Sequence, residues 1–317
     1  MSLKDVIGQE KALRLLHNTL KTGRIPSALL FAGEPGIGKR YTAINFAKAL
    51  NCLNQEHDSC DACPSCKKID SGIHPDLLFL RPEKGEIRID EIRAIEEALS
   101  FRPFEGKRKV VIIDDAEKMN QSACNAFLKT LEEPPSGSVI ILVTSSPDSL
   151  PSTIRSRCCR INFSPISERG VEEVIRRLHL EGDKVFSPLV RLLMGRPGLI
   201  SSDFFGNREG YLSMLKGMLK GSSNPWKDRE EMEEFIEFIL LIVRDMAVYK
   251  IGQETGILNT DMSGFLKEIA RRSNIKDIID TYEEILLLRR YLEYNLNLGI
   301  TWNYVSSMLR NISKGGS

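Results

Sequence analysis

The sequence has almost no charge imbalance: 44 Lys and Arg stand against 43 Asp and Glu in 317 residues, a formal net charge of +1. That excludes a global electrostatic pull toward nucleic acid, though a local basic surface is compatible with it. Long apolar runs are missing. The longest, Phe235 to Val248, is interrupted by Glu237, Arg244 and Asp245, too short and too charged for a bilayer. The first residues, crowded with Lys4, Asp5, Glu10, Lys11 and Arg14, do not read as a secretory leader. There is no internal repeat and no low-complexity segment. These absences predict a soluble, cytoplasmic chain with no membrane contact, long enough for two or three domains.

Cysteines are few, and four of the seven fall within residues 52–66. Clustering of this kind in a reducing compartment points to metal rather than disulfides. The stretch NCLNQEHDSCDACPSCKKI spaces Cys52, Cys60, Cys63 and Cys66 as C-x7-C-x2-C-x2-C. Four thiolates suit tetrahedral Zn²⁺. The C-x2-C-x2-C run is also open to an iron–sulfur cluster, although no electron-transfer context accompanies it. His57 is a further candidate ligand. A closed set of four reads as a structural Zn²⁺ site. Cys124, Cys158 and Cys159 read as packing residues.

Residues 27–32, SALLFA, form a short apolar run. The Gly-rich GEPGIGK follows, then YTAINFAKALN with helical spacing. That is strand, loop, helix. KVVIID at 109–114 and SVIILVT at 138–144 read as buried strands, and QSACNAFLKTLEE between them as a helix stopped by Pro134 and Pro135. The pattern predicts an α/β fold with a parallel sheet and helices on its faces. Ligands on such sheets sit at the carboxyl ends of the strands, where the loop, Asp114 and Thr144 all fall.

Gly33, Gly36 and Gly38 let backbone N–H groups turn toward phosphate oxygens, and Lys39 reaches the β and γ phosphates. The pattern G-x-x-x-x-G-K-[ST] then lacks its hydroxyl, since residue 40 is arginine. A guanidinium has no lone pair for Mg²⁺ and carries like charge. Thr42 comes about half a helical turn too late to replace it. Asp114 occupies the Walker B position. The water-positioning glutamate expected next is Asp115, one methylene shorter, and a displacement near 1 Å costs a catalytic site about 10²-fold. The two departures together predict weak nucleotide binding and little or no hydrolysis.

These pieces together resemble AAA+ clamp-loader subunits. The likeness lies in VIGQEKALRLLHNTLKTGRIPSALLFAGEPGIGK at 6–39, ACNAFLKTLEEPP at 123–135 and VIILVTSSPDSLPSTIRSRC at 139–158. HPDLLFL at 74–80 and IRIDEIRAI at 87–95 add to it, and the cysteine cluster matches bacterial loaders. The resemblance implies an AAA+ nucleotide-binding-like domain over residues 1–165 with the zinc module at 52–66. It further implies a helical lid over 166–206 and a helical collar over 207–317.

Within bacterial loaders the resemblance implies two kinds of chain. Motor subunits keep an intact loop and a Walker B glutamate, whereas Arg40 and Asp115 point to the non-motor kind. The lid agrees: the sensor 2 arginine would stand at Gly198, and Arg196 is offset, facing elsewhere if the segment is helical. SRC at 156–158 is similar to the family's arginine-finger motif and puts the finger at Arg157. Such a finger stabilises transition-state charge in a neighbour's ATP site. Thr144 matches sensor 1. The implied partners are the motor (tau/gamma) and delta subunits, the sliding clamp through the assembly, and primed DNA, in loading for the DNA polymerase III holoenzyme. The implied cofactors are structural Zn²⁺ and weakly bound ATP or ADP. Two alternatives compete: an active motor ATPase of the same family, and a stand-alone zinc-containing nucleic-acid-binding protein, against which the near-zero charge argues. The basic run Lys107, Arg108 and Lys109 reads as a solvated strand edge. Trp302, Tyr304 and Tyr291 read equally as core or as interface.

Overall fold

Apolar runs without polar alternation suit strands covered on both faces, as parallel sheets require. The computed structural model describes residues 2–82, 85–178, 190–201, 207–221, 226–292 and 296–314. Its strands are β1 (Ala28–Ala32), β2 (Leu77–Leu80), β3 (Lys109–Ile113), β4 (Ser138–Thr144) and β5 (Cys159–Asn162). They form one sheet in the order β2-β3-β4-β1-β5, and every pairing is parallel. β1, β3 and β4 are buried along their whole length. Ala32 pairs with Thr144 and Ile113 with Leu142, so the ends of the three central strands meet at one sheet edge.

Strand residues alternate between two cores. Leu29, Phe31, Val110, Ile112 and Ile141 pack with α1 (Glu10–Thr22) and α2 (Lys39–Asn51). Leu30, Val111, Ile113 and Ile140 pack with α4 (Ile89–Ser100) and α5 (Gln121–Glu132), while α3 (Pro64–Asp70) lies against α2. Local signals set the boundaries. The Asn120 side chain accepts from Ala123 N to start α5, and the chain leaves that helix just before Pro134. The short α6 (Ser152–Arg155) precedes β5, and α7 (Glu168–Arg177) follows it.

The chain divides into two compact units, one of Met1–Glu181 and Leu193–Leu199, the other of Gly182–Leu192 and Ile200–Ser317. The second unit is helical in its described residues: α8 (Arg208–Leu219), α9 (Arg229–Lys250), α10 (Ser263–Arg272), α11 (Ile275–Tyr291) and α12 (Leu298–Lys314). Phe235, Phe238, Ile239, Leu266 and Ile285 centre its core. Trp302 belongs to that core, edge-on to Trp226 with ring centroids 5.1 Å apart, whereas Tyr291 and Tyr304 are exposed. No helix among the described residues is long and apolar enough to cross a membrane. Parts of the expected lid and of the KGSSNP loop, namely 179–189, 202–206 and 222–225, lie outside the described residues.

Candidate functional site

The loop between β1 and α2 is fastened at the sheet edge, where Gly33 N donates to Thr144 O at 3.3 Å. Gly36 has φ +77, and a Cβ there would meet Leu199 Cγ at 2.8 Å, so only glycine is tolerated. Lys39 opens α2 and is buried. Its Nζ donates to Gly33 O and Glu34 O, both at 2.6 Å. Burial pulls the Lys39 pKa down, against the attraction of Glu117, Asp114, Asp115 and Glu34. Strand, loop and helix thus follow one another in the order the sequence predicts.

Arg40 turns to Asp114, the acid just past β3: its Nη1 lies 3.5 Å from Asp114 Oδ2. Thr42 does not compensate, because its fully buried hydroxyl donates to Gly38 O at 2.9 Å within the helix. Burial, with Asp115 next to it, raises the Asp114 pKa. Asp115 takes φ +52 and pairs with Lys118 at 3.5 Å and Arg81 at 4.0 Å. Thr144 is buried at the end of β4, its Oγ1 accepting from Ser146 N.

One acid of this site escaped the sequence reading. Glu117 Oε1 accepts from the amide and hydroxyl of Ser145, at 3.0 and 2.5 Å, leaving Oε2 buried and unpartnered. Burial raises its pKa, but the Ser145 and Thr144 hydrogen bonds overcome that and hold it below the ordinary glutamate range. Only its position three residues past Asp114 hinted at this, and an acid after a strand is usually a surface residue.

Arg196 requires a correction. It faces the loop, its Nη1 3.6 Å from Glu34 Oε2. The expectation that it points elsewhere assumed a helix. In fact Gly195 turns the chain at φ +78, and a 3₁₀ segment begins only at Pro197. Gly198 N then donates to Gly36 O at 2.8 Å. A Cβ on Gly198 would meet that same oxygen at 3.0 Å, so the loop would have to give by a few tenths of an ångström before a side chain could stand there.

Arg157 sits just past α6, a third exposed. Its Nη1 donates to Thr153 O at 2.8 Å, and Nη2 pairs with Glu132 of α5. These partners are on α5 and α6, not on the phosphate loop. Its neighbours are engaged differently, Arg155 with Asp148 and Arg160 with Asn162. The basic run at the start of β3 is solvated only in part, with Lys107 exposed and Arg108 half-buried. Lys109 is buried with Nζ on Ala98 O, and Lys107 Nζ bonds Cys52 O.

The four cysteines converge, their sulfur atoms all within 4.8 Å of one another, without His57. A tetrahedral Zn²⁺ with Zn–S near 2.3 Å requires S···S separations of about 3.8 Å, so the set fits that ion. Backbone N–H groups already point at sulfur, Cys63 N to Cys60 at 3.3 Å and Cys66 N to Cys63 at 3.5 Å. Such bonds from Ala62 and Cys63 pull the Cys60 thiol down to about 6, while burial pushes Cys66 up to about 12. A cation at the centre would stabilise the thiolates that burial disfavours. The module is tied to α2 by Lys48, whose buried ammonium lies 2.5 Å from Asp61 and 2.8 Å from Asp70. Both carboxylates reach water, so Lys48→Met is expected to destabilise by about 2 kcal/mol, less than a fully buried pair would. A thermal melt showing no loss would remove Lys48 as the tie.

The family model described as "DNA polymerase III, delta subunit" matches residues 8–167. The Bacillus subtilis protein "DNA polymerase III subunit delta'" is 29% identical over 95% of this chain and 96% of its own length. Bacillus subtilis "DNA polymerase III subunit tau" is 31% identical over 89% of this chain, which spans only 46% of that relative. A solved Thermotoga maritima structure, a "dna polymerase iii, gamma subunit-related protein", is 20% identical with a TM-score of 0.50, covering 94% of this chain and 99% of that one. That likeness concerns the fold alone.

Proposed function

We propose a function from one premise: this chain belongs to the DNA polymerase III delta-subunit family of AAA+ clamp-loader proteins. Its part there is that of a delta-prime subunit, a stator that hydrolyses little or no ATP itself. It lends Arg157 to the ATP site of a neighbouring motor subunit while the sliding clamp is loaded on primed DNA. The motor (tau/gamma) and delta subunits are its partners, and clamp and DNA meet it in the assembly. Residues 166–206 serve as the lid and 207–317 as the collar. Cys52, Cys60, Cys63 and Cys66 hold a structural Zn²⁺. Gly33, Gly36, Gly38 and Lys39 cradle the phosphates of ATP or ADP weakly, beside Asp114 and Thr144.

The Arg40–Asp114 pair carries this reading. Phosphoryl transfer is catalysed almost wholly by positioning and by neutralising developing charge, and a metal ion does much of both. A guanidinium on the Walker B acid contributes charge but cannot coordinate attacking or leaving oxygens. Asp115 is one methylene shorter than glutamate and faces Lys118 and Arg81 at 3.5 and 4.0 Å, which leaves it poorly placed to align a water. Single-turnover hydrolysis by the isolated chain should therefore equal that of Lys39→Ala, both at the buffer rate. Turnover that Lys39→Ala abolishes would make the chain a motor subunit.

A further inference from the structure

A magnesium-dependent phosphate loop needs an oxygen ligand directly after its lysine and a carboxylate free to complete the shell. The first is missing here: residue 40 offers only donors, and its charge opposes a cation. Thr42 is committed to Gly38 O, so once Arg40 turns away Asp114 alone of these groups is left to face a cation. The residues present do not fit the metal.

They do fit polyphosphate. Lys39, Arg40 and Arg196 gather around one loop, each resting on a group that phosphate oxygen can replace. Lys39 rests on two loop carbonyls, Arg40 on Asp114 and Arg196 on Glu34. The Arg40 side chain is 49% exposed and can turn from Asp114 toward the loop mouth without unpacking. A guanidinium is charged at every accessible pH, and its fork matches two phosphate oxygens at once. We propose that this loop binds nucleoside di- and triphosphates without magnesium, with Arg40 supplying the positive charge in the metal's place. The proposal rests on reading residues 33–39 as a nucleotide loop and adds that its occupant is held rather than consumed.

The test is calorimetric titration of ADP and ATP into the full chain, with excess magnesium or with EDTA. Wild type should bind with dissociation constants that agree within about threefold between the two buffers. Arg40→Thr restores the hydroxyl. It should bind about tenfold more weakly than wild type in EDTA, the worth of one charge-assisted contact, and recover when magnesium is added. Arg40 is half-exposed, so a melting curve will confirm that the variant folds. Three results would overturn the proposal: wild-type binding weakened tenfold or more by EDTA, no binding of either nucleotide at millimolar concentration, or Arg40→Thr binding like wild type in EDTA. None of these touches the Arg157 reading, which is measured on a neighbour's turnover.

Discussion

Arg157→Ala in a reconstituted assembly of motor, delta and this subunit, with clamp and primed DNA, is expected to lose ATP hydrolysis at the site the arginine enters. An arginine finger is worth roughly 10³ to 10⁵ in kcat, so that one site should fall by at least about 10³-fold. Total turnover falls only by that site's share, and clamp loading, which needs the coordinated set, falls further. The resting contacts of Arg157 are suited to this. It is held by Glu132 and Thr153 on exposed surface, and an exposed ion pair is worth about 0–1 kcal/mol, so handing the guanidinium to a triphosphate costs little. For the same reason the free Arg157→Ala chain should melt like wild type. Arg157→Lys keeps the charge but loses the fork, and should rescue little. Unchanged turnover and loading in the alanine variant would remove Arg157 from the proposed role.

Loss of the metal centre should be the largest blow to the chain's own stability. Cys66 is completely buried with its sulfur among three others, so Cys66→Ser leaves a polar hydroxyl where a thiolate would close the shell. Structural zinc sites bind with apparent free energies of about 10–16 kcal/mol, much of it folding free energy. Even a loss of about 5 kcal/mol would lower the melting temperature by roughly 10 °C or more in a unit this size. The damage should spread along named ties. Asp58 accepts from Leu3 N at 2.9 Å, and Lys48 bridges to Asp61. Protease cuts between residues 53 and 62, with early release of the N-terminal segment, are the expected signature. A Cys66→Ser chain that holds no zinc yet melts like wild type would refute a stabilising metal.

Much of this was legible because doubly buried strands appear in sequence as uninterrupted apolar runs. Residues 27–32, 109–114 and 138–144 fell within a residue of β1, β3 and β4. The defect at Arg40 was legible too, since it is a departure within a fixed spacing. What Arg40 does instead was not, because Arg40 is on α2 and Asp114 just past β3, and only the sheet brings them together. Arg196 misled because side-chain direction was taken from helical geometry, and a positive φ at Gly195 cancels that inference. Glu117 stayed hidden because its partner, Ser145, lies at the end of a different strand.

The close approach of Gly36 and Gly198 has a historical consequence. A Cβ on Gly198 would come within 3.0 Å of Gly36 O, and one on Gly36 would meet Leu199 Cγ at 2.8 Å. An arginine at 198 would press on the loop backbone, whereas a hydroxyl at 40, on a half-exposed side chain, meets no such obstacle. A lineage placing an arginine at 198 would have to shift the loop in the same step, so this contact constrains position 198 more tightly than position 40.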